Sequence, residues 1–483
     1  MTELHHLSAK KLATMLRAGR IGCLELLNHC IDRIERHDGA INAVVVRDFD
    51  RARKRARALD RRRGKDAALP PLFGVPMTIK ESYDVAGLPT TWGVPAMKDN
   101  IATANALAVD RLQEAGVVLL GKTNVPLMLA DWQSYNDIYG TTNNPWDVAR
   151  SPGGSSGGSA ASLAMGYAAL EAGSDIGSSI RDPAHFCGLF GHKPTWGLCP
   201  PRGHSLAGAV SMTDISVIGP LARSAEDLAL ALAAMAGPES IEAGLRLDLP
   251  PPRTKTLKGL RVAIMAEDPA SEVDAEIVGH LHDLARFLRR EGAKVSTTAR
   301  PAFDTGEANR LYLLLLHAAM SGRTSPDRLA TCAEIAGRLP QTDTSFQALM
   351  ARGTLLSHRE WIAANERRHR MRHLWAEFFT EWDVMLTPVG ASAAIPHDHE
   401  GEMADRTISV NGHRVPSCDQ LFWAGISGLF HLPTTAAPLG FTKAGLPVGV
   451  QIIGAPYADR TTIAVAGMLE RGWQGFTAPP GWE

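Results

Sequence analysis

Residues 151–181 read SPGGSSGGSAASLAMGYAALEAGSDIGSSIR and contain two short turns rich in glycine and serine, 153–158 and 177–181. The apolar, alanine-rich segment between them predicts a closely packed helix over 159–172. Stretches of glycine and serine are usually flexible linkers. Here the first turn follows Pro152 and leads directly into the apolar segment, so we expect it to open a helix. Its glycines would then let backbone N–H groups approach a ligand.

A lysine, Lys80, lies upstream of these turns at the end of the apolar run 74–80. Two serines and a lysine can pass a proton during attack on an amide carbonyl without a histidine, provided that the lysine is neutral. Burial among apolar neighbours lowers the pKa of a lysine from its usual value of about 10.4. Glu81 should point away from Lys80 in an extended chain. Taken alone, Lys80 is read as a surface lysine at a strand end; beside both serine turns it becomes a candidate base.

The uninterrupted motif GGSSGGSAA at 153–161, with Lys80 upstream and Ser179 downstream, resembles the amidase signature family of Ser–Ser–Lys amide hydrolases. Beyond this motif, the resemblance includes segments 144–147, 187–195, 218–223 and 445–451. It covers most of the chain and is weakest between 240 and 380. It implies that Ser179 is the nucleophile, that Ser155 is the bridging serine and that Lys80 is the final proton acceptor.

The resemblance also implies an oxyanion hole built from the turn Ile176, Gly177, Ser178 and Ser179. The family usually has glycine where this chain has Ser178. If that position requires a backbone angle suited to glycine, serine costs about 1–3 kcal/mol of strain. Arg181 is interpreted as an anchor for this turn rather than as a substrate ligand.

Several alternatives stay open at the residue level. Ser156 competes with Ser155 for the bridging role, and Ser178 competes with Ser179 as nucleophile. The segment 153–157 also satisfies G-x-S-x-G, the nucleophile elbow of histidine-dependent hydrolases. An elbow requires a strand immediately before it, whereas 143–147 and Pro152 indicate a loop. His185 and His192 are interpreted as packing or hydrogen-bonding residues.

The resemblance implies that segments 128–139 and 418–431 border the substrate pocket. Their candidate binding residues are Met128, Trp132, Tyr135, Phe422 and Trp423. Aromatic stripes are as often core as pocket, but together these side chains favour a hydrophobic or aryl amide. An ester or a carbamate (urethane) could use the same machinery. The alternatives are the glutaminase subunit of a tRNA-dependent amidotransferase and a catalytically inactive scaffold.

Composition narrows the setting. The chain is 45% hydrophobic and 21% charged with a net charge of −1, which favours neither a nucleic-acid nor a membrane partner. The arginine-rich run 51–65 is interpreted as a solvated helix face. Six scattered cysteines without a CxxC pair and an N-terminus (1–6) unlike a signal peptide favour a reduced, cytoplasmic protein. No metal or other cofactor is expected. The expected partner is a small-molecule amide, and homodimerisation stays open.

Alternating strand and helix patterns predict the α/β class. The strand, helix, strand pattern over 257–265, 274–291 and 292–295 is one example. Together with the resemblance, this predicts a single catalytic domain over 1–483 with a large mixed β-sheet surrounded by helices. Residues 307–383 are mostly helical in pattern and differ in composition, which predicts a helical insertion or cap.

Overall fold

Strands and helices alternate through most of the chain. The computed structural model describes residues 3–64, 68–206, 208–242 and 244–483; Met1, Thr2 and Lys65, which belong to stretches considered above, lie outside them. The helices are α1 Ala9–Arg17, α2 Cys23–Ile41, α3 Phe49–Arg62, α4 Leu107–Glu114, α5 Gly157–Ala164, α6 Arg181–Cys187, α7 Ala225–Met235, α8 Ala275–Arg290, α9 Thr305–Met320, α10 Pro326–Arg338, α11 Phe346–Thr354, α12 His358–Glu381, α13 Leu421–Gly428 and α14 Asp459–Gly472. The strands are β1 Val44–Arg47, β2 Pro76–Lys80, β3 Val118–Thr123, β4 Tyr135–Asn136, β5 Gly140–Thr141, β6 Leu170–Asp175, β7 Phe190–Lys193, β8 Val217–Ala222, β9 Arg261–Ile264, β10 Lys294–Ser296, β11 Val384–Pro388, β12 Thr407–Val410, β13 His413–Pro416, β14 Thr434–Phe441 and β15 Pro447–Ile453.

Within the described ranges, one eleven-stranded sheet organises the molecule, in the order β1-β3-β2-β6-β8-β7-β14-β15-β11-β9-β10. It is mixed: β2 runs parallel to β3 and β6, whereas β6 and β8 are antiparallel. The central strands β2, β3, β6 and β8 are buried along their whole length, because helices cover both faces. The predicted α/β class and large mixed sheet are therefore confirmed.

The helix predicted over 159–172 is wrong in its second half. Helix α5 ends at Ala164, and the chain then turns at Gly166 and enters β6 at Leu170. Gly166 has φ of +71°, and a Cβ there would meet His5 Cδ2 at 2.7 Å, so only glycine allows this turn. The shorter helix places β6 beside β2 in the sheet, with Leu170 opposite Met77.

Residues 307–383, predicted to be a helical insertion or cap, hold most of α9 and all of α10, α11 and α12, between β10 and β11. Helices α9 and α11 pack against each other, and α9 also contacts α13. Among the described residues, no helix is both long and apolar enough to cross a bilayer.

Candidate active site

Lys80 ends the buried strand β2, and its side chain is fully buried. Its Nζ donates hydrogen bonds to three serine hydroxyls, Ser155 at 2.6 Å, Ser174 at 2.9 Å and Ser156 at 3.0 Å. Glu81 faces elsewhere, since its carboxylate accepts hydrogen bonds from the backbone N–H groups of residues 91 and 92. Serine hydroxyls carry no negative charge. They therefore stabilise the ammonium form of Lys80 less than a carboxylate would, and they compensate only in part for the hydration that the ammonium loses on burial.

Burial lowers the pKa of Lys80 to about 7, although the carboxylates of Asp175 and Glu171 oppose the shift. Burial also raises the pKa of Glu171 to about 8, so that carboxyl offers less negative charge near neutral pH. A substantial fraction of Lys80 is therefore neutral at pH 7, the form in which an amine accepts a proton.

Ser155 lies in the turn just before α5. The segment 151–154 that leads into it is a loop rather than a strand. A Cβ on Gly154 would lie 2.3 Å from the carbonyl oxygen of Asp131, so this turn packs directly on the backbone around residue 131. The backbone N–H of Ser156 donates to the carbonyl of Ser179 at 3.2 Å and ties the two serine turns together. Both Ser155 and Ser156 contact Lys80, and the contact of Ser155 is the shorter.

Ser179 belongs to the turn between β6 and α6, which is organised by Asp175. The Asp175 carboxylate accepts the backbone N–H groups of Ser178 at 3.0 Å and Ile180 at 3.2 Å. It also pairs with the fully buried guanidinium of Arg181, at 2.8 Å and 2.9 Å. Burial alone would raise the pKa of Asp175, but the Arg181 guanidinium outweighs it and holds that pKa below its usual value. Arg181 thus braces the turn and does not face a ligand.

The four residues of the expected oxyanion hole are not equivalent. The N–H of Ser178 is taken by Asp175, so it is not free to bind a ligand. For Ile176, Gly177 and Ser179, the backbone N–H groups have no hydrogen-bond acceptor among the described residues. Two backbone carbonyl groups of this turn accept hydrogen bonds from side chains. The hydroxyl of Tyr312 donates to the carbonyl of Ile176 at 2.9 Å, and Trp132 Nε1 donates to the carbonyl of Gly177 at 2.7 Å.

Ser178 has φ of +77°, in the left-handed region that favours glycine. Its hydroxyl is buried without a hydrogen-bond partner among the described residues. Both features cost stability, by about 1–3 kcal/mol each. Glycine has no Cβ strain here but loses more backbone entropy on folding.

We therefore expect Ser178→Gly to raise the free energy of unfolding by about 1 kcal/mol in urea denaturation. Ser178→Ala is the matched control, because it removes the hydroxyl but keeps the strained angle. The Ser178→Ala variant should therefore gain less free energy of unfolding than the Ser178→Gly variant. A glycine variant less stable than the wild type would show that the serine is not strained.

A cavity of about 500 Å³ opens beside Ser179. Ser179, Gly177 and Trp132 lie at its wall, and the expected pocket residues Met128 and Tyr135 line it as well. Further walls come from α9–α11, the loop 401–406 and the start of α13. The larger apolar side chains there are Leu316, Met320, Phe346, Met350, Met403 and Leu421, and the charged ones are Arg328, Glu402 and Arg406. Apart from Leu421, which lies in the predicted segment 418–431, these residues were not predicted to line the pocket, because residues distant along the chain meet there only after folding.

Phe422 and Trp423, predicted to border the pocket, do not line this cavity and are buried in the hydrophobic core instead. Both lie on α13, where successive side chains point about 100° apart. Leu421 faces the cavity, and its Cδ2 would lie 3.3 Å from a Cβ on Gly177. The two following residues therefore turn away from the cavity, which corrects the prediction.

The two histidines near the turns have structural partners. His185 contacts the carbonyl of Ser392 at 2.9 Å and accepts the N–H of Gly449 at 2.6 Å, and burial lowers its pKa to about 4. His192 lies between Thr435 and Asp459, at 2.9 Å and 3.1 Å. Neither has a free nitrogen, so neither resembles the base of a nucleophile elbow.

Two residues near the site were missed from sequence. Ser174 was not considered, since 159–172 was assigned to a helix and the strand that carries it was not recognised. Tyr312 lies on α9, more than a hundred residues from the turn that it contacts. A serine near the end of a buried strand beside the lysine strand is the signal that could have identified Ser174.

Comparisons with known proteins point to one family. The family model described as Amidase matches residues 25–463. The chain is 33% identical to an acylamidase of Rhodococcus erythropolis over 97% of this chain and 96% of that protein. It is 32% identical to a glutamyl-tRNA(Gln) amidotransferase subunit of Moorella thermoacetica over 97% of each chain. A solved bacterial aryl acylamidase of the amidase signature family superposes with a TM-score of 0.82, over 98% of this chain and 97% of that one, at 24% identity, and shows the shared fold.

Proposed function

The chain belongs to the amidase family of amide hydrolases, and on that premise we propose that it cleaves hydrophobic or aryl amides through an acyl-enzyme at Ser179. The observation that carries the proposal is the buried Lys80 amine, bonded to serine hydroxyls and with a pKa of about 7. A neutral amine with such neighbours can accept a proton that passes along hydroxyl groups.

In the proposed reaction, Ser179 Oγ attacks the amide carbonyl. Its proton passes to Ser155 Oγ as the proton of Ser155 passes to Lys80 Nζ. The carbonyl π electrons move to oxygen, and we assign the N–H groups of Ile176, Gly177 and Ser179 to that oxyanion. When the C–N bond breaks, the relay returns the proton to the leaving amine. Water then enters by the same path and releases the acid and Ser179.

The cavity supports the hydrophobic part of the proposal. Its volume of about 500 Å³ suits a small-molecule substrate. The methionine, leucine and phenylalanine side chains of α9–α11 gain contact with an apolar acyl or aryl group. The charged side chains at the cavity wall are already paired, Arg328 with Glu402 and Arg406 with Asp131. We therefore treat α9–α11 as the cap that selects the substrate.

Phe346, on α11, provides a test of the cap. We expect Phe346→Ala to lower kcat/KM about tenfold for an anilide with a long acyl chain, because apolar contact area is lost. Hydrolysis of acetanilide, whose acyl group is too short to reach the cap, should change little. Leu355→Ala is the matched control, since Leu355 follows α11 but is 39% exposed and does not line the cavity. Equal losses for both substrates would argue against this cap.

The second candidate is the glutaminase subunit of a tRNA-dependent amidotransferase, which the similarity to the Moorella protein favours. The experiment that separates the two candidates assays the purified chain alone on aryl amides, aliphatic amides, esters, carbamates and glutamine. Turnover of hydrophobic amides by the chain alone supports the hydrolase. Turnover of glutamine that requires an added partner, tRNA and ATP would favour the amidotransferase component and contradict our proposal.

A further inference from the structure

Three polar side chains converge at the start of the chain, away from the serine turns. Glu3, His5 and His6 lie in and just before a short 3₁₀ helix, Leu4–His6. Each offers one ligand atom, and these three atoms lie within 4.8 Å of one another. Ligands bound to a single Zn²⁺ at about 2.0 Å lie about 3 Å apart, so the cluster has the dimensions of a metal site after small adjustment.

The ligand atoms are not satisfied by one another. His5 Nε2 lies 2.8 Å from a carboxylate oxygen of Glu3, yet the contact lacks the geometry of a hydrogen bond. His6 Nε2 is also buried without a hydrogen-bond partner among the described residues. Buried imidazole nitrogens without partners are costly. Two unpartnered imidazole nitrogens within 4.8 Å of each other and of a carboxylate oxygen form a group that one bound cation could satisfy.

The far side of the His5 ring has a hydrogen-bond partner, as is common in metal-binding histidines. His5 Nδ1 lies 3.1 Å from His29 Nε2. Such a partner fixes the proton on one nitrogen and leaves the other free to bind a metal.

We propose that Glu3, His5 and His6 bind one divalent zinc-type ion, with water completing its coordination. Two imidazoles and one carboxylate suit Zn²⁺, whereas Ca²⁺ and Mg²⁺ prefer oxygen ligands. The ion would fasten the N-terminal segment to the molecule, since His5 packs against the Gly166 turn that follows α5. The positive charges of Arg33 and Arg223 lie near His5 and weaken the affinity of the site for a cation. The negative charge of the Glu3 carboxylate partly offsets this loss. The site is structural and separate from the Lys80 relay.

The test uses the untagged full chain, stripped with a chelator and titrated with ZnCl₂. We expect one zinc ion per chain by metal analysis after dialysis. At a free zinc concentration of about a hundred times Kd, we expect Tm to rise by about 3 °C. Cobalt in place of zinc should give the visible absorption bands of a low-coordinate nitrogen and oxygen site.

Glu3→Gln and His6→Gln should each weaken zinc binding at least about tenfold and, at the same free zinc concentration, reduce the Tm shift to about half or less. Glu3 is 52% exposed on its side chain, so its variant should fold normally even if replacement of buried His5 does not. His282→Ala, an exposed histidine on α8, is the matched control and should bind zinc like the wild type. Wild-type protein that takes up no zinc, or Glu3 and His6 variants that bind it unchanged, would overturn the proposal.

Discussion

Ser179→Ala should lower amide hydrolysis by about 10⁴- to 10⁶-fold and abolish covalent labelling by a fluorophosphonate. The reason is that Ser179 is the only serine among the described residues at the cavity wall, and loss of the nucleophile removes the covalent route. Steady-state kinetics on an aryl amide and mass spectrometry of the labelled protein measure both effects. Ser179 is only 5% exposed, and alanine fills nearly the same space, so the fold should be retained.

Two further variants identify the nucleophile and the bridging serine. Ser178→Ala should stay active and labelled, because the Ser178 N–H, rather than its hydroxyl, is engaged in the turn. Ser155→Ala should slow hydrolysis strongly while Ser179 is still labelled slowly, since water can partly replace the relay. If labelling survives in Ser179→Ala but is lost in Ser178→Ala, the nucleophile is Ser178 and not Ser179. An adduct on Ser155 would instead favour the nucleophile elbow.

Lys80→Ala, Lys80→Met and Lys80→Arg should each reduce kcat by several orders of magnitude. Methionine fills the space without accepting a proton, and arginine stays charged at every accessible pH. In the wild type, kcat/KM should rise with pH through about 7, because the pKa of Lys80 is lowered to that value and only its neutral form is a base. Initial rates between pH 5.5 and 9 on a neutral amide, with a check of folding at each pH, measure this profile.

A second buried lysine makes a matched control necessary. Burial also lowers the pKa of Lys193 to about 7, so the pH profile alone does not identify the group that titrates. Lys193 donates to the carbonyl of Leu432 at 2.8 Å and to no serine hydroxyl among the described residues. Lys193→Met should therefore keep the midpoint near pH 7 if it folds. An active Lys80→Arg enzyme, or a midpoint that disappears only in the Lys193 variant, would remove Lys80 from the mechanism.

The sequence was most informative where chemistry and conformation depend on neighbouring residues. The order of Lys80, the 153–161 motif and the 177–181 turn was sufficient to identify the family and the class of fold. Strand β9 and helix α8 were predicted to within a few residues, because apolar periodicity acts locally. The helix over 159–172 failed because the same small apolar residues pack equally well in a helix and in a buried strand.

Only the tertiary structure decided which side chains meet. Ser174 contacts Lys80 because β6 lies beside β2, and Tyr312 contacts the Ser179 turn because α9 folds back over it. Phe422 and Trp423 share a segment with Leu421 but face the core, since the rotation of a helix, and not proximity in sequence, determines direction. Sequence alone thus determined which reactive groups are present. Long-range packing decided their burial, and burial sets the pKa of Lys80, because the cost of removing a charge from water depends on every atom that surrounds it.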